Sequence, residues 1–186
     1  MKTTIGLIAG SLRRASFSKK IARAVQEMAP EGYDFKLISI DELPLYNQDF
    51  DDDNDVPRSY VTFRNTIQQL DGIIFVTPEY NRSIPGALKN AIDVASKPSG
   101  QNKWNGKPAA VFSNSPGNLS GFGANHHLRQ CLVCLNVPVM QQPEVYIAGA
   151  NKLFDENGNF NDDNVRKFLQ KAVDAYIEWF NRNKPS

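Results

Sequence analysis

Three short stretches carry residue types able to hold a charged or planar ligand. The first, Gly10-Ser11-Leu12-Arg13-Arg14-Ala15-Ser16-Phe17-Ser18, gathers hydroxyls and guanidinium groups around a flexible glycine. Hydroxyls can donate to an anion, and Arg13 can add a charge-assisted, bidentate contact. The second, Thr77-Pro78-Glu79-Tyr80-Asn81-Arg82-Ser83-Ile84, offers backbone polar groups, an aromatic face and an amide. The third, Ser113-Asn114-Ser115-Pro116-Gly117, consists of small and turn-forming residues that let a backbone approach a ligand closely. Plainer readings stand beside these: a Ser-capped helix with a solvated arginine, and a turn before a helix.

The elements around these stretches decide where they sit. Ile5-Gly6-Leu7-Ile8-Ala9 is an apolar run leading into the first, and Ile21, Ala22, Val25, Met28 and Ala29 follow at helical spacing. A strand, a loop and a helix N-terminus form an anion site, because unpaired N–H groups and the positive dipole end both favour phosphate. Phe35-Lys36-Leu37-Ile38-Ser39-Ile40 reads as a second strand, followed by a loop over 41–55 with Leu43-Pro44-Leu45-Tyr46 and the acidic run Asp51-Asp52-Asp53. Pro57 suits a helix first turn, with Tyr60, Phe63, Ile67 and Leu70 as a buried stripe.

Gly72-Ile73-Ile74-Phe75-Val76 is wholly apolar, as in a strand buried on both faces, and feeds the second stretch. Pro85 opens a helix with Leu88, Ala91, Ile92 and Ala95 inward. Ala109-Ala110-Val111-Phe112 feeds the third stretch, and Leu128, Cys131, Leu132 and Leu135 mark one face of the helix after it. Residues 137–140 and 145–147 suggest a fifth strand interrupted near Pro143. Asp155-Glu156-Asn157-Gly158 signals a turn. The last helix, with Val165, Phe168, Leu169, Ala172, Val173, Tyr176, Ile177 and Phe180 inward, takes Asn161 as its cap and Asp162 and Asp163 as dipole partners.

Alternating strands and helices predict an α/β fold: a parallel sheet with right-handed crossovers, covered on both sides, within one domain over 1–186. All three loops then share the carboxyl edge of the sheet, where open α/β sheets bind ligands.

Composition narrows the function classes. The 186 residues are 41% hydrophobic and 22% charged, ordinary for a globular chain and unlike a disordered one. A net charge of +1 gives no global electrostatic case for nucleic acid or acidic membranes, and fits poorly with a strongly acidic electron carrier. Two cysteines are too few for a disulfide framework, and the apolar run after Met1-Lys2-Thr3-Thr4 is too short for a secretory signal. No stretch approaches a membrane span. The expected compartment is a reducing cytoplasm.

Several familiar motifs fail on inspection. Gly121-Phe122-Gly123-Ala124-Asn125-His126 starts like a dinucleotide fingerprint, but His126 stands where the last glycine belongs. Residues 100–107 have one spacer too many for a P-loop, and Pro108 replaces the hydroxyl residue. Asp51, Asp53 and Asp55, like Asp155, Asn157 and Asn159, lack a calcium loop's glycine and distal glutamate, so both acidic runs read as solvated loops. Cys131 and Cys134 form a C-x-x-C in mid-helix, where no helix N-terminus lowers the thiol pKa, so a structural role is expected. His126 and His127 are adjacent and point in different helical directions, unlike an i, i+4 metal pair. Ser11 and Ser115 lack a nucleophile motif such as G-x-S-x-G.

One phosphate loop and two ring-holding loops suit a planar heterocycle with a single phosphate tail. FMN is the natural candidate. On these same residues the sequence resembles the NADPH-dependent FMN reductase family, flavodoxin-like proteins that include bacterial quinone and chromate reductases. The likeness is carried by Gly10-Ser11-Leu12-Arg13 with Ser16, Leu43-Pro44-Leu45-Tyr46-Asn47, and Thr77-Pro78-Glu79-Tyr80-Asn81 with Ser83. It continues in Pro85-Gly86, Leu88-Lys89-Asn90-Ala91-Ile92-Asp93, Gly106-Lys107-Pro108, Ser115-Pro116-Gly117 and residues 121–126.

The resemblance implies a flavodoxin-like three-layer sandwich with a five-stranded parallel sheet of order 2-1-3-4-5. It implies that Ser11, Arg13, Ser16, Phe17 and Ser18 hold the FMN phosphate. Pro78, Glu79, Tyr80 and Asn81 would line the isoalloxazine, with Asn114, Ser115 and Gly117 on its other side. Ser18 stands where asparagine is common and Val94 where some members have tryptophan. Hydride would come from NADPH or NADH and leave to a small acceptor: a quinone, free flavin, chromate, or an azo or nitroaromatic compound. Such chemistry belongs to the cofactor, so no acid, base, nucleophile or metal ligand is assigned. Glu79 fits shaping of the pocket, and Arg82 reads as a nicotinamide contact or as a solvated or interface residue. Members of the family are typically dimers or tetramers, which puts Asn47, Tyr80 and Arg82 in reach of a subunit contact. The rival readings are a flavodoxin-type electron carrier and a non-catalytic flavodoxin-like interaction protein.

Overall fold

The computed structural model describes residues 2–156 and 158–185. Met1, Asn157 and Ser186 lie outside them, including the third residue of the turn expected over 155–158. Among the described residues five strands, β1 (Thr3–Ala9), β2 (Tyr33–Ile38), β3 (Gly72–Pro78), β4 (Ala109–Asn114) and β5 (Val145–Ile147), form one parallel sheet in the order β2-β1-β3-β4-β5. The connecting helices are α1 (Phe17–Glu27), α2 (Asp49–Asp52), α3 (Arg58–Gln68), α4 (Gly86–Ser96), α5 (Phe122–Cys134) and α6 (Asp163–Asn183). The expected fold class and strand order are both found.

Period-two alternation in fully buried strands builds two apolar layers from one sheet. Ile73, Phe75, Ala109 and Val111 face Tyr60, Phe63, Ile67, Leu88, Ala91, Leu128 and Leu132 on α3, α4 and α5. Their neighbours Ile74, Val76, Ala110 and Phe112 face Ile21, Val25, Leu169, Val173, Tyr176 and Phe180 on α1 and α6. The polar atoms of the largest buried rings are satisfied: Trp104 Nε1 donates to the Ile92 carbonyl (2.9 Å) and the Tyr176 hydroxyl to that of Pro108 (3.0 Å).

The structure corrects several local expectations. β2 runs two residues earlier than the expected 35–40, because its ladder with β1 begins at the Thr3–Tyr33 pair. The interrupted fifth strand is present. Val139 bridges Ala109, the chain leaves the sheet near Pro143, and Val145 then pairs with Phe112. Asp162, not Asn161, caps α6 by accepting from Asn164 N and Val165 N (both 3.0 Å). The C-x-x-C lies in the last turn of α5, with Cys131 half-buried and Cys134 exposed.

The acidic run over 51–53 is not simply a solvated loop. Asp51 belongs to the short helix α2, and its carboxylate takes a bidentate pair from Arg64 (2.7 and 2.8 Å) with both side chains almost buried. Arg64 Nε also donates to the Val94 carbonyl (2.9 Å), and the Tyr46 hydroxyl reaches Asp51 (3.2 Å). These hydrogen bonds from Arg64 hold the Asp51 carboxyl below its usual range, against the desolvation that would raise it. Asn90 on α4 completes the clamp, accepting from Tyr46 N (2.8 Å) and donating to the Leu43 and Pro44 carbonyls (3.2 and 2.8 Å). The long connection after β2 is thereby tied to α3 and α4.

Candidate functional site

β1 ends beside the first ligand-type stretch, and Gly10 sets how closely that stretch lies on the sheet. A Cβ at Gly10 would come within 2.9 Å of the Leu88 side chain on α4 and 3.2 Å of Thr77 Oγ1. Ser16 caps α1: its backbone is extended, and its hydroxyl accepts from Lys19 N at 3.2 Å. That contact satisfies one of the free N–H groups of the first turn and leaves those of Phe17 and Ser18 at the open end of the helix. Ser11, Ser16 and Ser18 are buried, while the Arg13 side chain stands exposed at the rim.

Ser18 and Asn114 meet across the top of β3. The Asn114 amide donates to Ser18 Oγ (2.9 Å) and to the Thr77 carbonyl (3.1 Å), with both side chains buried. The sheet register already places Thr77 beside Ser113 and Pro78 beside Asn114. Helix α1 and strand β4 therefore meet at one floor.

The loop after β3 closes in a two-residue turn. Tyr80 and Ser83 exchange both backbone hydrogen bonds at 2.9 Å, with Asn81 (φ 51°) and Arg82 (φ 65°) between them. Positive φ at both central positions marks a type I′ turn. Asparagine tolerates that region. Arginine at the second position carries strain that the surroundings must hold.

Two side-chain contacts tie this turn to α5. The Glu79 carboxylate accepts from Ala124 N (3.1 Å) in the first turn of α5 and from Arg82 (3.3 Å). Ser83 Oγ and His127 Nδ1 lie 2.7 Å apart. The glycines that mimic a dinucleotide fingerprint have packing roles here. Gly121 has φ 75°, and a Cβ there would press on Ser113 and the Asn114 backbone at 3.1–3.3 Å. One at Gly123 would meet the Arg82 carbonyl at 2.9 Å and Glu79 Oε2 at 3.0 Å. The N-terminus of α5 thus already carries a carboxylate of the same chain, whereas the first turn of α1 keeps free N–H groups beside the buried Ser11, Ser16 and Ser18.

Ser11, Arg13, Ser16, Phe17, Ser18, Pro78, Glu79, Tyr80, Asn114 and Ser115 line a single cleft, together with Pro116. Of the residues expected at the site, Asn81 and Gly117 lie outside this lining: both are exposed, Asn81 at the turn tip and Gly117 accepting from Ser115 Oγ (2.9 Å). Asn47 lies outside this lining, and its amide donates to Asp49 Oδ2 (3.0 Å). Larger concavities of about 680 and 450 Å³ lie against β2 and α3 and beside α1. Neither lies where the three loops converge. A patch that sequence spacing does not reveal adjoins the third loop: His126 Nε2 lies 2.9 Å from the Tyr146 hydroxyl, which donates to Glu144 (2.9 Å), while Phe122 packs 4.3 Å from the His126 ring. Burial first, then Glu144, pushes the Tyr146 hydroxyl up to about 12.

Residues 3–152 match the model of the NADPH-dependent FMN reductases. The chain belongs to the NADPH-dependent FMN reductase family. It is 49% identical over 181 residues to a quinone reductase of Pseudomonas putida, covering 97% of this chain and 96% of that one. It is 44% identical over 179 residues to a 2-hydroxy-1,4-benzoquinone reductase of a Burkholderia species, covering 96% and 97%. Among solved structures, FerB, a flavoenzyme NAD(P)H:(acceptor) oxidoreductase from Paracoccus denitrificans, superposes with a TM-score of 0.90 at 38% identity, covering 98% of this chain and 100% of that one.

As a family member the chain is an oxidoreductase that uses FMN with a reduced nicotinamide as donor. The residues present fit that cofactor. One open helix N-terminus with three buried hydroxyls beside it matches one phosphate, and backbone and aromatic surfaces flank the space beyond. Among the described residues no group of His, Cys, Asp and Glu is placed to hold a metal ion, and no helix is long and apolar enough to cross a membrane.

Proposed function

We propose that this chain is an FMN-dependent NAD(P)H:quinone oxidoreductase working as one flavodoxin-like unit. The observation that carries the reading is the open first turn of α1 in a cleft lined by the buried Ser11, Ser16 and Ser18, where the N-terminus of α5 is taken by Glu79. FMN, when bound, supplies a ring that accepts hydride and returns electrons to an acceptor. The chain's part is to hold it. Ser11, Ser16, Arg13 and the N–H groups of Phe17 and Ser18 bind the phosphate; the backbone of Pro78 and Glu79 and the ring of Tyr80 flank one side of the isoalloxazine. Asn114 and Ser115, with Pro116, bound the other, and the exposed turn at Asn81 stands at the rim. No side chain in the cleft is needed as acid, base or nucleophile. A shallow, open cleft admits donor and acceptor in turn, which suits quinones and, in the same place, free flavin, chromate, azo and nitroaromatic compounds.

Exposed apolar side chains support assembly with a second copy. Leu12, Leu45, Tyr80, Leu119 and Phe122 are about half exposed or more, and all lie on or beside the loops at the carboxyl edge. Apolar surface gathered on one rim marks a contact. A homodimer or homotetramer with this rim covered is the state we propose, in a cytoplasm that keeps Cys131 and Cys134 as free thiols.

The test is anaerobic mixing of the FMN-loaded protein with NADPH or NADH while the visible spectrum is recorded, followed by benzoquinone. Bleaching by the nicotinamide and recovery on adding quinone are expected. Flavin that stays oxidised with both nicotinamides makes the protein an electron carrier; a colourless protein whose Tm is unmoved by FMN makes it an interaction protein.

A further inference from the structure

Glu79 is the one carboxylate in the cleft lining, yet its oxygens are turned away from a catalytic task. Its side chain is only 12% exposed, with one oxygen on Ala124 N at 3.1 Å and the other on Arg82 at 3.3 Å. Helix α5 has no cap of its own: the residue at its N-terminus is Gly121 in the left-handed region, with no side-chain hydrogen bond and no acid in the first turn. A helix that begins without a cap leaves N–H groups and a positive dipole end unmet. Glu79, from the loop after β3, accepts from one of them, Ala124 N.

The contact works in both directions, because the same carboxylate fixes the loop. Glu79 sits between Pro78, the last residue of β3, and the turn whose two central residues have positive φ. Arg82 has positive φ in that turn, and its largely exposed guanidinium makes one contact, to the second Glu79 oxygen at 3.3 Å. Gly123 makes the close approach possible, since a Cβ there would strike the Arg82 carbonyl and the Glu79 carboxylate together.

We propose that Glu79 is a positioning residue for the flavin-facing loop: by capping α5 at Ala124 N it fixes the height of the Pro78–Tyr80 backbone against the ring. This rests on the flavin-site reading above. The feature required of residue 79 is an acceptor oxygen at Ala124 N. A proton donor or a free charge is not required, because the helix terminus and Arg82 already offset the charge.

The experiment compares four proteins, wild type, Glu79→Gln, Glu79→Ala and Gly123→Ala, by FMN fluorescence titration of the apoprotein and by steady-state kinetics of the loaded enzyme. Glu79→Gln keeps an acceptor and is expected to bind FMN within about twofold of wild type, with a pH–rate profile of unchanged shape. Glu79→Ala and Gly123→Ala, which break the contact from opposite sides, are each expected to raise the FMN Kd about tenfold and to raise KM for the nicotinamide more than they lower kcat. Gly123→Ala also improves intrinsic helix propensity, so weaker FMN binding without a loss of Tm separates positioning from general destabilisation. Unchanged FMN affinity in both alanine variants overturns the proposal. So does Glu79→Gln failing as badly as Glu79→Ala, which would make Glu79 a charged catalytic or flavin-contacting group. A wild-type protein that does not bind FMN overturns the flavin-site reading itself, an outcome visible before any variant is compared.

Discussion

The Asn114 side chain donates to Ser18 Oγ at 2.9 Å, joining the end of β4 to the first turn of α1 across β3. Both groups are buried, and the second Asn114 hydrogen bond ends on the Thr77 carbonyl. One amide therefore fixes the distance between the phosphate end of the cleft and the ring end. The family resemblance leads to an expectation of asparagine where Ser18 stands. The structure shows what the serine does: its hydroxyl accepts from Asn114 and keeps its own proton to give.

Replacing Asn114 with alanine leaves a buried hydroxyl and a carbonyl without their donor. The expected cost is about 1–3 kcal/mol of stability, read by urea denaturation. The Ser18→Ala/Asn114→Ala double-mutant cycle is expected to return a coupling of about 1 kcal/mol. Strictly additive losses would mean that the two residues act independently.

Arg13 is placed differently: exposed at the cleft rim, with no hydrogen bond or ion pair to the protein among the described residues. Arg13→Ala should therefore leave the apoprotein Tm and far-ultraviolet spectrum unchanged while raising the FMN Kd about tenfold. Riboflavin, which lacks the phosphate, should bind wild type and variant alike. Equal FMN affinity in the two proteins would remove Arg13 from the site.

The Asp51–Arg64 pair gives a pH-dependent prediction. Arg64 holds the folded-state Asp51 carboxyl below its unfolded value, so the pair's contribution is complete above the unfolded pKa of about 3.9 and is lost as pH falls through the folded one. Asp51→Asn leaves Arg64 buried without its partner charge and should cost about 3 kcal/mol at pH 7. The gap between wild type and variant, followed by denaturant unfolding from pH 7 to pH 3, should narrow only at the acid end. A constant gap would mean that the carboxylate's charge contributes nothing.

The parts of this molecule that can be read from its sequence are those encoded locally. Wholly apolar runs such as 72–76 and 109–112 specify buried parallel strands, and the spacing of Tyr60, Phe63 and Ile67 specifies the face of α3. The three loops follow from the strand ends, which is why Ser11, Ser16, Ser18, Pro78, Tyr80, Asn114 and Ser115 could be assigned to one edge in advance. What escaped depends on partners far along the chain. Asp51 looks like one of three equivalent solvated acids until Arg64, 13 residues away, selects it. Glu79 looks like a pocket wall until α5 supplies Ala124 N from 45 residues downstream. The starting point of β2 depended on where β1 begins its ladder, and the cap of α6 on which of two neighbouring polar side chains turns back toward the helix.

The two outer strands of the sheet also bear on how copies of the chain can meet. β5 pairs over only three residues, and β2 carries Asp34 and Lys36 as an exposed ion pair at 3.3 Å. Short or charged borders discourage strand-to-strand annealing, the route by which open sheets fuse and aggregate. A protein built this way is expected to stay dispersed when concentrated, its sheets resisting merger at either border.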